Sequence, residues 1–396
     1  MHGYPQPVEA CYEWVGHIDR ELTRGERAAW CVRDALLAHA YGFGNIPLGT
    51  LYDVEDSYFN TQWGGGAMCR RYPLLYPKPV YVAAAAMTKA LDNARFVRRV
   101  PTGSLTVYAM EFAEKDGRFV YPLWLPRGSA ELSVEFDGDP RAEITGFYGA
   151  RETVRRTGSG VSVRISEFPL YLSSVRKVKT IRIVRRETPP RVTPAKVQSV
   201  DPLRSVANVL LMEGMDGRLA SPWRMPGRFV LRDSRDCLEL ELLPPPAGKK
   251  IPPTVAEYVN IAFRRPVPLK GKPSSLGIEV FGNSSWARIF FVLIDSRGQT
   301  FISSGEGYGS DGRALSYVNF DGWGTIQFPF TLASRVRLSE VNASGGVWKA
   351  DGDGVPVYPV SVAGLAVAMP RHAADLNRLV PVADCKIRLR NFVAFE

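Results

Sequence analysis

The sequence predicts a mainly β protein: an incomplete (β/α)-barrel remnant followed by an antiparallel β-sandwich and a jelly-roll β-sandwich. Three observations carry this. The 396 residues include 36 Gly and 30 Pro with 11% aromatics, a turn-rich composition. Helical periodicity is confined to the first hundred residues. Beyond about residue 95, short alternating apolar runs separated by turn signals take over. The chain is also too long for one core of about 100–200 residues, so several domains are expected. They are read as 1–94, the barrel remnant; 95–186, the sandwich; 187–204, a linker; and 205–396, the jelly roll.

In the first segment Thr23-Arg-Gly-Glu26 is a capping-box pattern. The helix it opens, about 24–41, places Ala29, Trp30, Val32, Leu36, Leu37, Ala40 and Tyr41 near one side, and Gly42 and Gly44 stop it. A short apolar run, Ile46–Tyr52, leads into a polar and aromatic loop from Asp53 to Tyr72. Pro77 and Pro79 open a second helix, about 79–94, rich in alanine. Helix, strand, long loop, helix is the order of a barrel's closing units. A whole barrel needs about 250 residues, so this one is expected to be incomplete.

Six strands are predicted between 95 and 186: Ser104–Phe112, Arg118–Leu125, Ala130–Phe136, Ala142–Tyr148, Gly160–Ser166 and Lys177–Val184. Residues 187–200, with three prolines, read as an extended linker. Beyond them the runs Ala207–Gly214, Arg228–Arg232, Cys237–Leu243, Tyr258–Arg264, Ser275–Phe281, Ala287–Asp295, Thr300–Ser303, Ser316–Phe320, Thr325–Phe330, Val360–Met369 and Lys386–Phe395 read as strands. That density suits a jelly roll.

The net charge is +10, and residues 151–196 concentrate it, with twelve Arg and Lys against Glu152, Glu167 and Glu187. Such a stretch can attract nucleic acid or an acidic polysaccharide; the reading preferred is a solvated strand face and a basic linker. No nucleic-acid signature or stacking platform accompanies it, so no nucleic-acid partner is expected. No run of 18 apolar residues suggests a membrane span. The start, Met1-His-Gly-Tyr-Pro, shows no signal-peptide pattern, which leaves the cell compartment open. The five cysteines are scattered, odd in number and without C-x-x-C spacing, so they read as small hydrophobes. His39, one of four scattered histidines, is read as packed or surface-lying.

Sugar binding needs aromatic faces and side chains that reach hydroxyls in pairs. In the loop after the predicted barrel strand, Trp63 offers such a face and Asp53, Glu55 and Asp56 offer acceptors; a surface turn is the alternative. In the C-terminal domain the candidates are Trp286, Tyr308, Tyr317, Trp323 and Trp348, with Asn283, Arg288, Asp311, Arg313 and Lys349 nearby. Trp323, at a strand entry, is read as packing, whereas Tyr308 and Trp348 are read as loop aromatics. Asp351-Gly-Asp-Gly354 is oxygen-rich enough for a structural calcium, but it lacks a full ligand series and reads as a turn. No other cofactor is expected.

These motifs, in this order, resemble the C-terminal end of clan A glycoside hydrolases, the retaining (β/α)-barrel enzymes. Glu26–Gly42 is similar to their seventh helix, Tyr52-Asp53 with Trp63-Gly64 to the eighth strand and its loop, and Pro77–Leu91 to the eighth helix. Tyr108–Phe112 and Tyr121–Trp124 resemble the accessory sandwich that follows. The resemblance covers about 1–185. It implies a nucleophilic Glu at or before position 1, beside Met1-His-Gly, and an acid/base Glu further upstream. No catalytic residue is therefore assigned within this chain, and no carboxylate pair suited to retaining hydrolysis is found. Gly282–Gly298, Asn319–Trp323 and Lys386–Phe395 resemble galactose-binding-like jelly rolls, the fold of many carbohydrate-binding modules. The reading that follows is a non-catalytic carbohydrate-binding or accessory protein, with poly- or oligosaccharide as partner. Two alternatives stay open: a retaining glycoside hydrolase completed by the missing barrel portion or a partner chain, and a surface protein that uses its sandwiches as spacers.

Overall fold

The computed structural model describes residues 24–43, 46, 51, 68–70, 76–158, 160–189, 197–200, 202–212, 214, 223–271, 273, 275–303, 316–329, 348–376 and 378–395. They form two compact units, divided between Glu187 and Thr188. The protein is mainly β, with antiparallel sheets, and among the described residues no barrel closes.

The first unit opens with helix α1, Arg24–Ala40. Alanines and leucines dominate it, and Val32 is its lone β-branched residue. Gly42, at φ 86°, ends it in a Schellman arrangement, with Phe43 N–H donating to Ala38 C=O at 3.1 Å and Gly42 N–H to His39 C=O at 3.1 Å. Thr23 of the expected capping box lies outside the described residues. The helix is buried around most of its circumference, Arg27 and Arg33 included, where one apolar side was expected. Arg33 Nη1 reaches the Glu167 carbonyl at 2.8 Å. His39 stacks on Phe112 at 5.5 Å, so α1 lies against the following sheet. Tyr41, expected on the buried side, falls past the helix end and is exposed. Helix α2, Pro79–Ala90, starts with proline in its first turn and ends before the expected residue 94. Strands β1, Cys69–Arg70, and β2, Tyr76–Pro77, pair antiparallel within the span expected to be loop and helix entry. No parallel strand accompanies these helices among the described residues of this unit, and most of Ile46–Tyr52 lies outside them.

Ten further strands make a two-sheet sandwich: β3 Arg95–Arg99, β4 Tyr108–Ala113, β5 Phe119–Trp124, β6 Ser129–Phe136, β7 Glu143–Thr145, β8 Arg151–Glu152, β9 Arg155–Thr157, β10 Gly160–Ser166, β11 Leu170–Ser174 and β12 Val178–Glu187. One sheet runs β3-β4-β5-β11-β7-β8 and the other β12-β6-β10-β9. Between them Tyr121, Leu123 and Leu172 meet Leu132, Val134, Val161 and Val163. Tyr108 and Trp124, opposite in register, stack at 4.8 Å on the other side of the first sheet. Strand β6 alternates intermediate and buried residues along its whole length, the period-two pattern of a strand with one wet face. Strand β3 was not expected because Arg95-Phe-Val-Arg-Arg99 is too polar to read as a strand.

The second unit contains β13 Val197–Ser199, β14 Val209–Met212, β15 Arg224–Pro226, β16 Phe229–Ser234, β17 Cys237–Leu242, β18 Ala256–Pro268, β19 Ser275–Asn283, β20 Arg288–Ile294, β21 Thr300–Ser303, β22 Asp321–Pro329, β23 Trp348–Ala350, β24 Ser361–Pro370, β25 His372–Asp375, β26 Arg378–Pro381 and β27 Lys386–Phe395. Sheet one is β16-β17-β27-β19-β22, with β13 beside β27. Sheet two is β14-β18-β24-β20-β21-β23, with β15 joined parallel to β18. Their inner faces share a core that includes Leu240, Ile278, Leu389, Ile261, Phe291, Leu365 and Phe328. The end of the expected linker is therefore a strand: β13 pairs with the last residues of β27. The expected strand Ser316–Phe320 is irregular and makes one isolated bridge, Arg288 to Tyr317.

Gly364 sits in β24 between β18 and β20, opposite Ala262 and Val292, at a register irregularity on both sides. A Cβ there would meet the Ile261 carbonyl oxygen at 2.4 Å. Gly364→Ala is expected to destabilise the second unit by roughly 1–3 kcal/mol, read as a lower urea midpoint. An unchanged midpoint would show that the central pairing tolerates the side chain.

Candidate functional site

The candidate site lies on the outer face of the sheet that contains β27. Because side chains alternate, the residues that do not enter the core point outward. Register places five of them in one row across five strands: Arg232 opposite Glu239, Glu239 opposite Arg388, Arg388 opposite Phe281, and Phe281 opposite Trp323. Four strand spacings of about 4.8 Å make the row about 19 Å long. At its aromatic end Phe281 meets Trp323 edge-on at 5.5 Å and remains 38% exposed. Arg388 lies 5.2 Å from the centre of the Phe281 ring, and Arg390 3.9 Å from that of Trp323, distances that suit cation–π attraction.

Charges hold these side chains in place. Arg388 Nε donates to Glu239 at 3.2 Å. Arg390 donates to Glu279 at 2.7 Å and to Asp236 at 2.6 Å, and Asn391 donates to the same Glu279 at 2.8 Å. Arg232 bonds Glu241, with Lys386 3.8 Å away. The hydrogen bond from Arg232 draws the Glu241 carboxyl below the ordinary carboxylate range, and the Lys386 charge adds to it. Each exposed pair contributes little to stability, about 0.2–1 kcal/mol, but together they fix the rotamers of the face. The surface thus offers rings beside paired donors and acceptors already oriented.

A second cluster forms where the chain passes from β19 to β20. Ser284 N–H bonds to Phe320 C=O, Trp286 N–H to Val318 C=O and Ile289 N–H to Ser316 C=O, stitching the loop to the irregular 316–320 segment. Ser284 and Trp286 both have positive φ, 53° and 62°, a conformation uncommon for such residues. Trp286 meets Tyr317 edge-on at 6.0 Å. The Arg288 guanidinium lies 4.8 Å from the Tyr317 ring centre and 5.1 Å from that of Phe290. The structure thus gathers Trp286, Arg288 and Tyr317, but Arg288 is buried. Its role there is to support Tyr317, and the expectation of a side chain reaching out to hydroxyls is corrected.

Trp348 needs a fuller correction. It is fully buried in β23 and packs edge-on against Phe328 at 5.4 Å. It belongs to the core, because β23 closes the edge of the second sheet beside β21. Lys349, its neighbour, points the other way and is exposed. Asp53, Trp63, Tyr308, Asp311 and Arg313 lie outside the described residues. Trp323, read as packing, is half-buried on the outer face. Phe281, Arg388 and Arg390, which the row brings together, were not singled out from the sequence. Their signal was the alternation Lys386-Ile-Arg-Leu-Arg390 and a phenylalanine two residues from Glu279, on the polar side of its strand.

The Asp351–Gly354 turn is held by protein donors. Asp353 accepts from Arg297 Nη1 and Nη2 at 3.0 Å each and from Val355 N–H at 2.9 Å. Asp351 accepts from Thr300 N–H at 2.9 Å and its hydroxyl at 2.6 Å. Nearby, Asp295 accepts from the N–H groups of Arg297, Gln299 and Val357 at 2.9–3.0 Å. Burial pushes its carboxyl upward, but these backbone donors and Arg297 outweigh it and hold it below the ordinary range.

No protein-family model and no curated protein matches the sequence. Among solved structures, a family 39 glycoside hydrolase from Bacteroides cellulosilyticus WH2 is similar at TM-score 0.33 and 19% identity, covering 39% of this chain and 31% of that one. The family 11 carbohydrate-binding module of a Clostridium thermocellum cellulosomal cellulase is similar at TM-score 0.27 and 12% identity, covering 51% and 96%. A tandem of CBM22 domains from Paenibacillus barcinonensis is similar at 0.21 and 10%, covering 73% and 86%. All three are distant likenesses.

Two outcomes follow. Trp348→Ala is expected to cost about 3–5 kcal/mol in urea denaturation, as for other large core residues; a variant as stable as the parent would contradict its place in the core. Asp295→Ala is expected to cost about 2–3 kcal/mol at pH 7, by stranding three backbone donors. Because the folded carboxyl has the lower pKa, its stabilisation is complete above the ordinary carboxylate range. It fades as pH falls through the folded-state value, so the gap between variant and parent should close on acidification. A gap that stays constant down to pH 2 would contradict the assignment.

Proposed function

We propose that this chain is a non-catalytic carbohydrate-binding or accessory protein of glycoside-hydrolase lineage, and that its second unit binds polysaccharide. The observation that carries the proposal is the outward row from Arg232 to Trp323. Sugars present apolar C–H faces and hydroxyls in adjacent pairs. An aromatic surface takes the former, and guanidinium and carboxylate groups take the latter by paired hydrogen bonds. A flat row about 19 Å long accommodates several sugar units of a polymer laid across the strands. Its side chains are already held by ion pairs, so little rotamer freedom is lost on binding. Trp286 and Tyr317 form a separate aromatic group beside Arg288, on the outer side of the sheet that holds β20.

The proposal extends to the first unit. Helices α1 and α2 are taken as closing helices of a (β/α)-barrel, with 95–186 as the accessory sandwich and 205–396 as the jelly roll.

The test is affinity electrophoresis and calorimetry against xylan, mixed-linkage β-glucan and cellulose. The intact chain should bind at least one of them. Phe281→Ala and Trp323→Ala should each weaken that binding about tenfold, corresponding to roughly 1.4 kcal/mol, while thermal unfolding stays near that of the parent. Absence of binding to every polymer would overturn the proposal.

A further inference from the structure

A second surface lies on the first unit, and it is built differently. The sheet β12-β6-β10-β9 buries Leu132, Val134, Val161 and Val163, so its opposite residues face solvent. Register sets Arg182 opposite Ser133, Ser133 opposite Ser162, and Ser162 opposite Arg155. In the adjacent row Arg185 is opposite Glu131, and Glu131 is opposite Arg164. Four exposed arginines therefore stand at the corners of a patch, their backbone positions about 14 Å apart along one row and about 10 Å along the other. Its floor is Ser133, Ser162 and Glu131.

The placement of Arg185 depends on a β-bulge. Ile181 and Ile183 face the core, and simple alternation would send Arg185 the same way. An extra residue between Ile183 and Arg185 shifts the register and reverses the parity. Arg185 thus joins Arg182 on the wet face. Val184, the extra residue, is left 65% exposed.

Protein partners neutralise only part of this charge. Arg182 lies 3.7 Å from Glu135, and Arg185 bonds Glu187. Glu131 accepts from the Ser162 hydroxyl at 2.8 Å, and Glu135 from the Thr180 hydroxyl at 3.0 Å. Arg155 and Arg164 have no acidic partner among the described residues.

We propose that this face binds an anionic polysaccharide, one whose carboxylate or sulfate groups are separated by hydroxyl-bearing rings. Guanidinium groups recognise such anions by paired hydrogen bonds. The serines and carboxylates between them suit hydroxyls and not further anions. A duplex nucleic acid carries one charge per about 1.7 Å of its axis, and the Glu131 carboxylate in the floor would repel so dense a backbone. Among its described residues the face also has no aromatic ring for bases to stack on. This surface is independent of the row on the second unit.

The experiment uses the full chain and measures retention in gels containing polygalacturonate, with xylan and a DNA duplex as parallel probes. One variant combines R155Q, R164Q, R182Q and R185Q. A control variant removes the same charge elsewhere on the unit, at Arg95, Arg151, Arg176 and Lys177, all exposed. Both are checked by thermal unfolding. With each exposed contact worth roughly two- to threefold, the face variant should weaken polygalacturonate binding about 30-fold at low salt. The control should stay within about threefold. Equal loss in both variants would overturn the proposal as general charge attraction. So would DNA binding as tight as that of polygalacturonate, or no retention by polygalacturonate at all.

Discussion

The second unit depends on the pairing of β27. This last strand lies between β17 and β19, and its final residues also hold β13. Its inward residues, Ile387, Leu389, Phe392 and Ala394, are buried in the shared core. The outward ones, Lys386, Arg388 and Arg390, connect the charged strands β16 and β17 to the aromatic pair on β19 and β22. Without β27 in place there is neither a continuous sheet nor a continuous row. Folding must bring the chain's end beside segments more than a hundred residues earlier. Such long-range pairing carries a loop-closure cost that only the completed core repays.

Both sandwiches obey the same constraint with different consequences. A strand with one buried face exports every second residue to the surface, so the surface composition is set by what the core leaves over. In the second unit those residues are rings interleaved with paired charges. In the first they are arginines around a hydroxylated floor. A bulge, a one-residue departure from the ladder, decides which side Arg185 joins. Small irregularities of backbone thus rearrange whole surfaces while the core keeps its volume.

The aromatic residues show how burial separates equivalent letters. Trp348 and Trp323 both lie near the start of strands. One closes the sheet edge over Phe328, and the other lies on the outer face beneath Arg390. Trp286 lies between them in character, half-buried with a left-handed backbone, and is fixed by Tyr317 and the stitched loop. Arg288 likewise became a buried support for Tyr317 where its charge had suggested an open contact.

By itself the sequence determined the mainly β class, the two helices at its start, the stop at Gly42 and the positions of most strands, including Gly160–Ser166 and Lys386–Phe395 to the residue. These depend on local periodicity and turn chemistry, which a linear reading contains. It did not reveal β3, whose arginines mask its strand character, or β13, whose pairing partner lies nearly two hundred residues away. Nor could it rank the tryptophans or assemble the row from Arg232 to Trp323. Only the tertiary structure decided those, because register and burial are properties of strands already paired, and a strand's two faces become unlike only when one of them meets a core.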